Sequence, residues 1–206
     1  MTTAEWELRI AEAWASIETR DETEFCTLIE KLVEELPTGD PDGLFERGAA
    51  LDSTGHSDLA VPLYRRALDA GLTGERRRRA VIQMASSLRN LGRSPESVAL
   101  LTAELAAPAD HLDDAVKTVL ALALTDVGRE REAVSLAVGA LAAHLPRYQR
   151  SMANYARLLV EPDPDTTPDS APDTTPDAAP DADLDTTPDA AREAAPDADL
   201  DMDVRS

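Results

Sequence analysis

The residues of this chain that could bind a metal ion or act as a nucleophile are few and far apart. His56, His111 and His144 have no second ligand at the spacing of a metal motif, so capping of helix ends or solvent exposure is the better interpretation. Cys26 stands among apolar residues of a helical pattern, which favours a packed thiol over a nucleophile. Phosphate-binding loops, nucleophile elbows and HExxH or CxxC motifs do not occur in the sequence. We therefore predict no catalytic, cofactor-binding or metal-binding residue and no enzymatic activity.

The most localised charge feature is a group of arginines within residues 65–93, which we call the arginine island. The segment contains eight arginines and two acidic residues, a net charge of +6. The eight arginines are Arg65, Arg66, Arg76, Arg77, Arg78, Arg79, Arg89 and Arg93. Charge runs of this kind are usually solvated helix faces with some structural ion pairs. The alternative is a groove in which arginine side chains bind the carboxylates of an acidic peptide.

Composition divides the chain of 206 residues near position 160. Residues 161–206 carry 15 acidic and 2 basic side chains, eight of the 14 prolines and no aromatic residue. This segment has too little apolar surface to offset the conformational entropy of ordering, about 1–2 kcal/mol per residue for the backbone alone. We predict a helical domain over residues 1–160 and a disordered acidic tail over residues 161–206. The tail's clustered Asp residues lack the Gly and the closing Glu of a calcium-binding EF-hand loop.

Charge, cysteine content and hydropathy limit the class of partner and the location. The net charge of −20 argues against nucleic acid as the main partner, because binding to phosphates requires neutralising cations. The longest strictly apolar run, residues 119–124, is far shorter than the roughly 20 residues of a membrane-spanning helix. A single cysteine excludes an intrachain disulfide, and the N-terminal residues lack the pattern of a secretory signal. We expect a cytoplasmic protein, and the abundance of Ala, Arg, Asp and Pro suggests a bacterial source.

Three copies of one pattern recur 36 or 37 residues apart and predict the architecture. Each copy has a glycine at a tight turn, at Gly55, Gly92 or Gly128, and a small residue five positions later. Apolar residues recur at helical spacing on both sides of each glycine. Self-similarity at this period is typical of stacked helical hairpins, which bind other chains. We predict nine helices that form four hairpins and a closing helix, near residues 4–18, 22–36, 42–54, 57–71, 75–91, 95–107, 111–127, 130–144 and 147–160.

These spacings resemble the tetratricopeptide repeat (TPR), in which small residues let paired helices approach and a bulky residue plugs each hairpin. Matching residues occur in all three copies, although Glu104 stands where the family has a small residue; they are Gly48, Ala60, Tyr64, Ala67, Ala85, Ser97, Leu101, Ala121, Ala133, Ala137 and Ala140. Stretches such as LFERGAALDSTG and RRAVIQMASSLRNLG are similar to the bacterial group-5 tetratricopeptide repeat domain. The resemblance covers about residues 40–160, with a degenerate hairpin over residues 1–38. It implies an all-α, right-handed superhelix that serves as a protein-interaction scaffold.

The resemblance also implies where a partner binds, because the first helix of each hairpin lines the concave face in this family. The predicted partner-binding residues are Phe45, Asp52, Arg79, Ile82, Ser86, Arg89, Asn90, Thr118, Leu122 and Thr125, with Ala49 and Ala115 between them. Phe45 and Ala49 replace two residues of the set by which some relatives bind a terminal carboxylate, so that specificity is not predicted. The expected partner is a protein or peptide, possibly an acidic one. As an alternative function, the acidic tail competes with such partners for the arginine island in a regulatory or sensor protein.

Overall fold

In the computed structural model, residues 2–161 are described and form nine α-helices. The chain divides into two units, Met1–Thr166 and Thr167–Ser206, and the second lies wholly outside the described residues, as does nearly all of the predicted acidic tail. The helices are α1 (Thr3–Ala15), α2 (Glu22–Val33), α3 (Pro41–Ser53), α4 (Ser57–Asp69), α5 (Gly74–Asn90), α6 (Ser94–Leu105), α7 (Asp113–Asp126), α8 (Glu130–Ala142) and α9 (Gln149–Leu158), with a 3₁₀ turn at Ile17–Thr19. Residues 2–161 contain no strand. The predicted all-helical fold class is confirmed.

Consecutive helices pair into hairpins, and the hairpins stack. Helices α3 and α4, α5 and α6, and α7 and α8 form the three hairpins that the repeated pattern predicts, while α1 and α2 form the N-terminal hairpin. The first helices of neighbouring hairpins contact each other, α3 with α5 and α5 with α7. Each second helix also contacts the first helix of the next hairpin. This arrangement is that of a helical-repeat solenoid.

The repeated glycines close the first helix of each hairpin in one way. Gly55, Gly92 and Gly128 all have positive φ, between 73° and 89°. The residue after each glycine donates its backbone N–H to the carbonyl five positions earlier, as His56 does to Leu51 at 2.8 Å. This is the Schellman motif, in which a left-handed residue lets the chain leave the helix and turn back. Gly suits that position because it has no Cβ.

Small residues bring the two helices of a hairpin together. The Tyr64 side chain is fully buried and lies beside Gly48, where an added Cβ would stand 3.1 Å from the tyrosine ring. Ala60 and Ala67, on the same side of α4, are also fully buried. These contacts place Tyr64 as the plug of its hairpin, as the sequence predicts. Its hydroxyl group donates a hydrogen bond to Asp52 at 3.4 Å.

A buried carboxylate fastens the N-terminal hairpin to the stack. Glu46 of α3 is 2% exposed and accepts hydrogen bonds from the Trp14 indole at 2.7 Å and from Arg76 of α5 at 2.9 Å. Arg76 also donates two hydrogen bonds to Glu7 of α1, and its guanidinium lies 5.5 Å from the centre of the Trp6 ring. This network joins α1 to α3 and α5. The N-terminal hairpin therefore closes the array at this end by covering the first clear hairpin.

Candidate partner-binding surface

Most of the predicted binding residues occupy equivalent positions in the three clear hairpins but differ in exposure. Counted back from each glycine, three positions recur: ten, six and three residues before it. The ten-before position is Phe45, Ile82 and Thr118, the six-before position is Ala49, Ser86 and Leu122, and the three-before position is Asp52, Arg89 and Thr125. At each position the residue of α7 is exposed, the residue of α5 is half-buried and the residue of α3 is buried or half-buried. The accessible part of the predicted surface therefore lies on α5 and α7.

The structure corrects the expectation for the first hairpin. Phe45 and Ala49 have no solvent-exposed surface, so neither can contact a partner of the folded domain. The guanidinium of Arg79, from the following helix α5, lies 5.3 Å from the centre of the Phe45 ring and covers it. Asp52 is also committed internally, because Ser87 and Tyr64 both donate hydrogen bonds to it. These three residues of α3 stabilise the contact between hairpins.

Helix α5 presents a polar face between its neighbours α3 and α7. Ser86 is half-buried and Asn90 is exposed, and the Asn90 side chain contacts the Ser57 hydroxyl at 3.5 Å. Ile82 is half-buried against the apolar cluster to which α7 contributes, and Arg89 forms an ion pair with Asp126 at 2.6 Å. Of the residues predicted on α5, Ser86 and Asn90 thus keep the most accessible polar groups, together with Arg79.

Helix α7 presents a mainly apolar face. Leu122 is 48% exposed, and Thr118 and Thr125 are exposed on either side of it. Both threonine hydroxyls donate to backbone carbonyls one turn earlier, to Asp114 at 2.6 Å and Ala121 at 3.0 Å. Their donor capacity is used within the helix, which leaves the methyl groups and Leu122 as the main features of this face.

The arginine island is largely neutralised inside the fold. Six of its eight members contact carboxylates within 4 Å; they are Arg65, Arg76, Arg77, Arg78, Arg89 and Arg93. Arg78 is 5% exposed and reaches Asp113 at 2.6 Å, and the carboxylate of Glu104 is buried beside Arg77. The hydrogen bonds from Arg76 lower the pKa of the Glu7 carboxyl, and those to Glu7 and Glu46 raise the pKa of Arg76. This pairing favours a helix face with structural ion pairs.

Two arginines of the island are left without a carboxylate among residues 2–161, namely Arg66 and Arg79. Arg66 is exposed on the second helix of its hairpin, α4. Arg79 lies on α5 over Phe45, and its side chain forms no hydrogen bond with any other described residue, so the five N–H groups of its guanidinium are available to a ligand. Arg79 is therefore the member of the island best placed to bind an acceptor on the predicted face.

One further residue of this face, Gln83, is not among the predicted binding residues. Gln83 lies on α5 four residues after Arg79 and seven before Asn90, so it shares their side of the helix, and it is half-buried beside the Tyr64 hydroxyl at 3.4 Å. The spacing of Arg79, Gln83, Ser86 and Asn90 is that of a continuous helical stripe. That signal is present in the sequence and would have identified Gln83.

The isolated histidines and the cysteine contact single partners. His56 pairs with Glu22, which raises the pKa of the imidazole, while His111 lies 3.5 Å from Glu75 and His144 lies 2.9 Å from Asp114. The Cys26 sulfur lies 3.6 Å from the Thr54 hydroxyl in a partly buried position. Within the described part of the chain, no group of three or more His, Cys, Asp or Glu residues could hold a metal ion.

Comparison with known proteins gives one match. The family model described as tetratrico peptide repeat, group-5 type, matches residues 41–159, more than half of the chain. The searches of curated proteins and of solved structures found no match. Domains of this repeat type generally mediate protein–protein interactions and are generally not catalytic. Over residues 2–161, no helix is long and apolar enough to cross a lipid bilayer.

Proposed function

Because the chain belongs to the tetratricopeptide repeat family, we propose that it is an adaptor that binds a partner protein or peptide on the concave face of its helical repeats. We place the binding site on α5 and α7. The observation that carries this proposal is the gradient of exposure along equivalent positions, from Ala49 with no exposed surface, through half-buried Ser86, to Leu122 at 48%. A cytoplasmic location is part of the proposal, and a chain with Cys26 as its single cysteine requires no oxidising compartment for its fold.

The chemistry of the face suits a ligand with one apolar anchor and acceptor groups beside it. Leu122 and the threonine methyl groups of α7 offer apolar contact. On α5, the unpaired guanidinium of Arg79 and the amide of Asn90 can donate hydrogen bonds to carbonyl or carboxylate oxygens. An acidic peptide with a bulky apolar residue could contact both helices, its apolar side chain on α7 and its carboxylates on α5. Truncation of the apolar contact and removal of the cation should therefore weaken binding independently.

The proposal is tested by capture of partners from a lysate of the source cells at low salt. Leu122→Asp and Arg79→Gln change the proposed face, and Leu59→Asp is the matched control, because Leu59 is 53% exposed on the second helix α4. Proteins that bind the unchanged chain and the Leu59→Asp variant, but not the two concave-face variants, support the site. A set of captured proteins that is the same for all four chains would reject it.

The alternative function, competition between the acidic tail and external ligands, lies outside the described residues and stays a prediction. Six paired arginines leave Arg66 and Arg79 as the members of the island without a carboxylate partner among residues 2–161. Removal of residues 161–206 should then tighten the binding of a captured acidic partner at low salt, because a tethered competitor acts at an effective concentration of about mM. Unchanged affinity would reject the alternative and leave the adaptor proposal in place.

A further inference from the structure

The last helix, α9, does not continue the stack as α5 and α7 do. Helix α5 covers a face of α4 that contains Val61, Tyr64 and Leu68, all of which pack in one cluster with Met84 and Leu88 of α5. Helix α7 covers the equivalent face of α6. These faces lie six, nine and thirteen residues after each repeated glycine.

Helix α9 instead packs on another side of α8. The Ser135 hydroxyl donates to the Ala156 carbonyl at 2.7 Å, the Arg131 side chain donates to the Leu159 carbonyl at 3.2 Å, and Gly139 faces Ala156. These three residues of α8 are four apart and form one line along the helix. On α4 and α6, the same side of the helix is exposed to solvent.

The face of α8 that a continuing stack would bury is therefore bare. Val134 and Leu141 are 49% and 56% exposed, and Ala137 between them is exposed too. In contrast, the equivalents of Val134 and Ala137 in the first clear hairpin, Val61 and Tyr64, are 3% and 0% exposed, and the equivalent of Leu141, Leu68, is half-buried. These residues of α8 form an apolar stripe at helical spacing that no helix of the described residues covers.

We propose that a second copy of this chain covers the stripe, through an antiparallel contact between α8 of the two copies. The stripe suits a two-fold axis near Ala137, because Val134 of one copy then meets Leu141 of the other and the small Ala137 side chains let the helices approach. The opposite end of the array offers a smaller apolar surface, since α1 exposes one large apolar side chain, Leu8, which favours a contact of α8 with itself. The contacts between hairpins inside the chain use the equivalent positions of α4 and α6, where α5 and α7 cover them. A second copy would cover the face of α8 in the same way.

Sedimentation of the full chain over a range of concentrations tests the proposal. We expect a concentration-dependent dimer, and the dissociation constant of the dimer should rise at least about tenfold in Leu141→Asp, because a two-fold contact buries the charge twice. Leu8→Asp, at a residue 61% exposed on α1, should leave the dimer unchanged. A chain that remains monomeric at every concentration, or a dimer insensitive to Leu141→Asp, would overturn the proposal.

A cross-link tests the orientation. In a chain with Cys26→Ser, the variant Ala137→Cys should form an intermolecular disulfide under oxidising conditions, because two copies of residue 137 meet near the axis. Ala103→Cys, at an exposed residue of α6, is the control and should remain largely unlinked. Equal cross-linking of both variants would contradict the axis. Neither experiment depends on a partner at the concave face, so failure here leaves the adaptor proposal intact.

Discussion

In the hairpin α3/α4 the plug position holds a fully buried tyrosine, Tyr64, whereas in the hairpin α7/α8 it holds an exposed alanine, Ala137. Both hairpins carry the same glycine turn and the same small residue, Ala60 in one and Ala133 in the other. The difference lies in the next helix along the chain, because α5 covers the first hairpin and α9 turns to another side of the last. Identical repeat positions can therefore stabilise the array at one end and remain available for contacts at the other.

The largest expected effect separates the two plug positions. Tyr64→Ala should lower the free energy of unfolding by about 3–5 kcal/mol, because it removes a buried aromatic ring and leaves a cavity beside Gly48. Ala137→Leu should change it by less than about 0.5 kcal/mol, since residue 137 is exposed. Chemical denaturation of both variants measures the contrast. Similar losses at the two positions would mean that the hairpins are covered alike.

The second comparison sets a buried carboxylate against an exposed one. Glu46→Gln should lower the unfolding free energy by about 2 kcal/mol, because Arg76 loses a charged partner at a buried site. Glu35→Gln removes one carboxylate that pairs with Arg9, in a pair that is exposed, and should cost less than about 1 kcal/mol. Thermal unfolding of the two variants beside the unchanged chain measures this difference. An equal shift of the melting temperature would contradict a stabilising role of Glu46 at the N-terminal hairpin.

A third comparison concerns two glycines of the last hairpin. Gly128→Ala should lower the unfolding free energy by about 1–2 kcal/mol, because φ at that turn is 76° and an added Cβ is strained there. Gly139→Ala should raise it by about 0.5–1 kcal/mol, because this glycine lies inside α8 and an added Cβ would meet the Ala156 Cβ at an ordinary 3.9 Å. Opposite signs in urea unfolding confirm the turn and the helix together; a loss at both positions would contradict the placement of α9.

The smallest effect is a pH dependence at the N-terminal end. Arg76 holds the pKa of Glu7 below its ordinary value of 4.5, so ionised Glu7 stabilises the fold above that pH, and this stabilisation is lost as the pH falls through the folded pKa. Glu7→Gln should therefore be less stable than the unchanged chain at pH 7, by a few tenths of a kcal/mol, because the Glu7 side chain is 41% exposed and solvent screens the pair. The gap should close below about pH 4.5. A gap that widens on acidification would show that Glu7 is not stabilised by Arg76.

The sequence predicts the helices and the turns well because their signals are local. The glycines, the small residues and the apolar spacing place every helix of the described residues to within three residues at its start and end. The side of α8 on which α9 packs cannot be predicted from local sequence signals. Its contact with α8 depends on Ser135 and Gly139, which resemble ordinary helix residues in the sequence.

The binding face is predicted less well, for a related reason. Phe45 occupies the same repeat position as exposed Thr118, but it is covered by its core neighbours, among them Tyr64, and by the Arg79 guanidinium over its ring. The sequence of the arginine island favours structural ion pairs but leaves a basic groove as an alternative, because the partners, such as Glu104 and Asp113, come from other helices. A repeat pattern defines equivalent positions, while burial depends on which neighbours each hairpin has.

The most direct test of the account is the reactivity of one cysteine moved along the array. In a chain with Cys26→Ser, the variants Val61→Cys, Val98→Cys and Val134→Cys place a thiol at the same repeat position of α4, α6 and α8. At a concentration where the chain is monomeric, thiol labelling should be slow at 61, intermediate at 98 and fast at 134, because the valines there are 3% exposed, half-buried and 49% exposed. Protection at 134 equal to that at 61 would contradict an array that is closed at its first hairpins and open at its last.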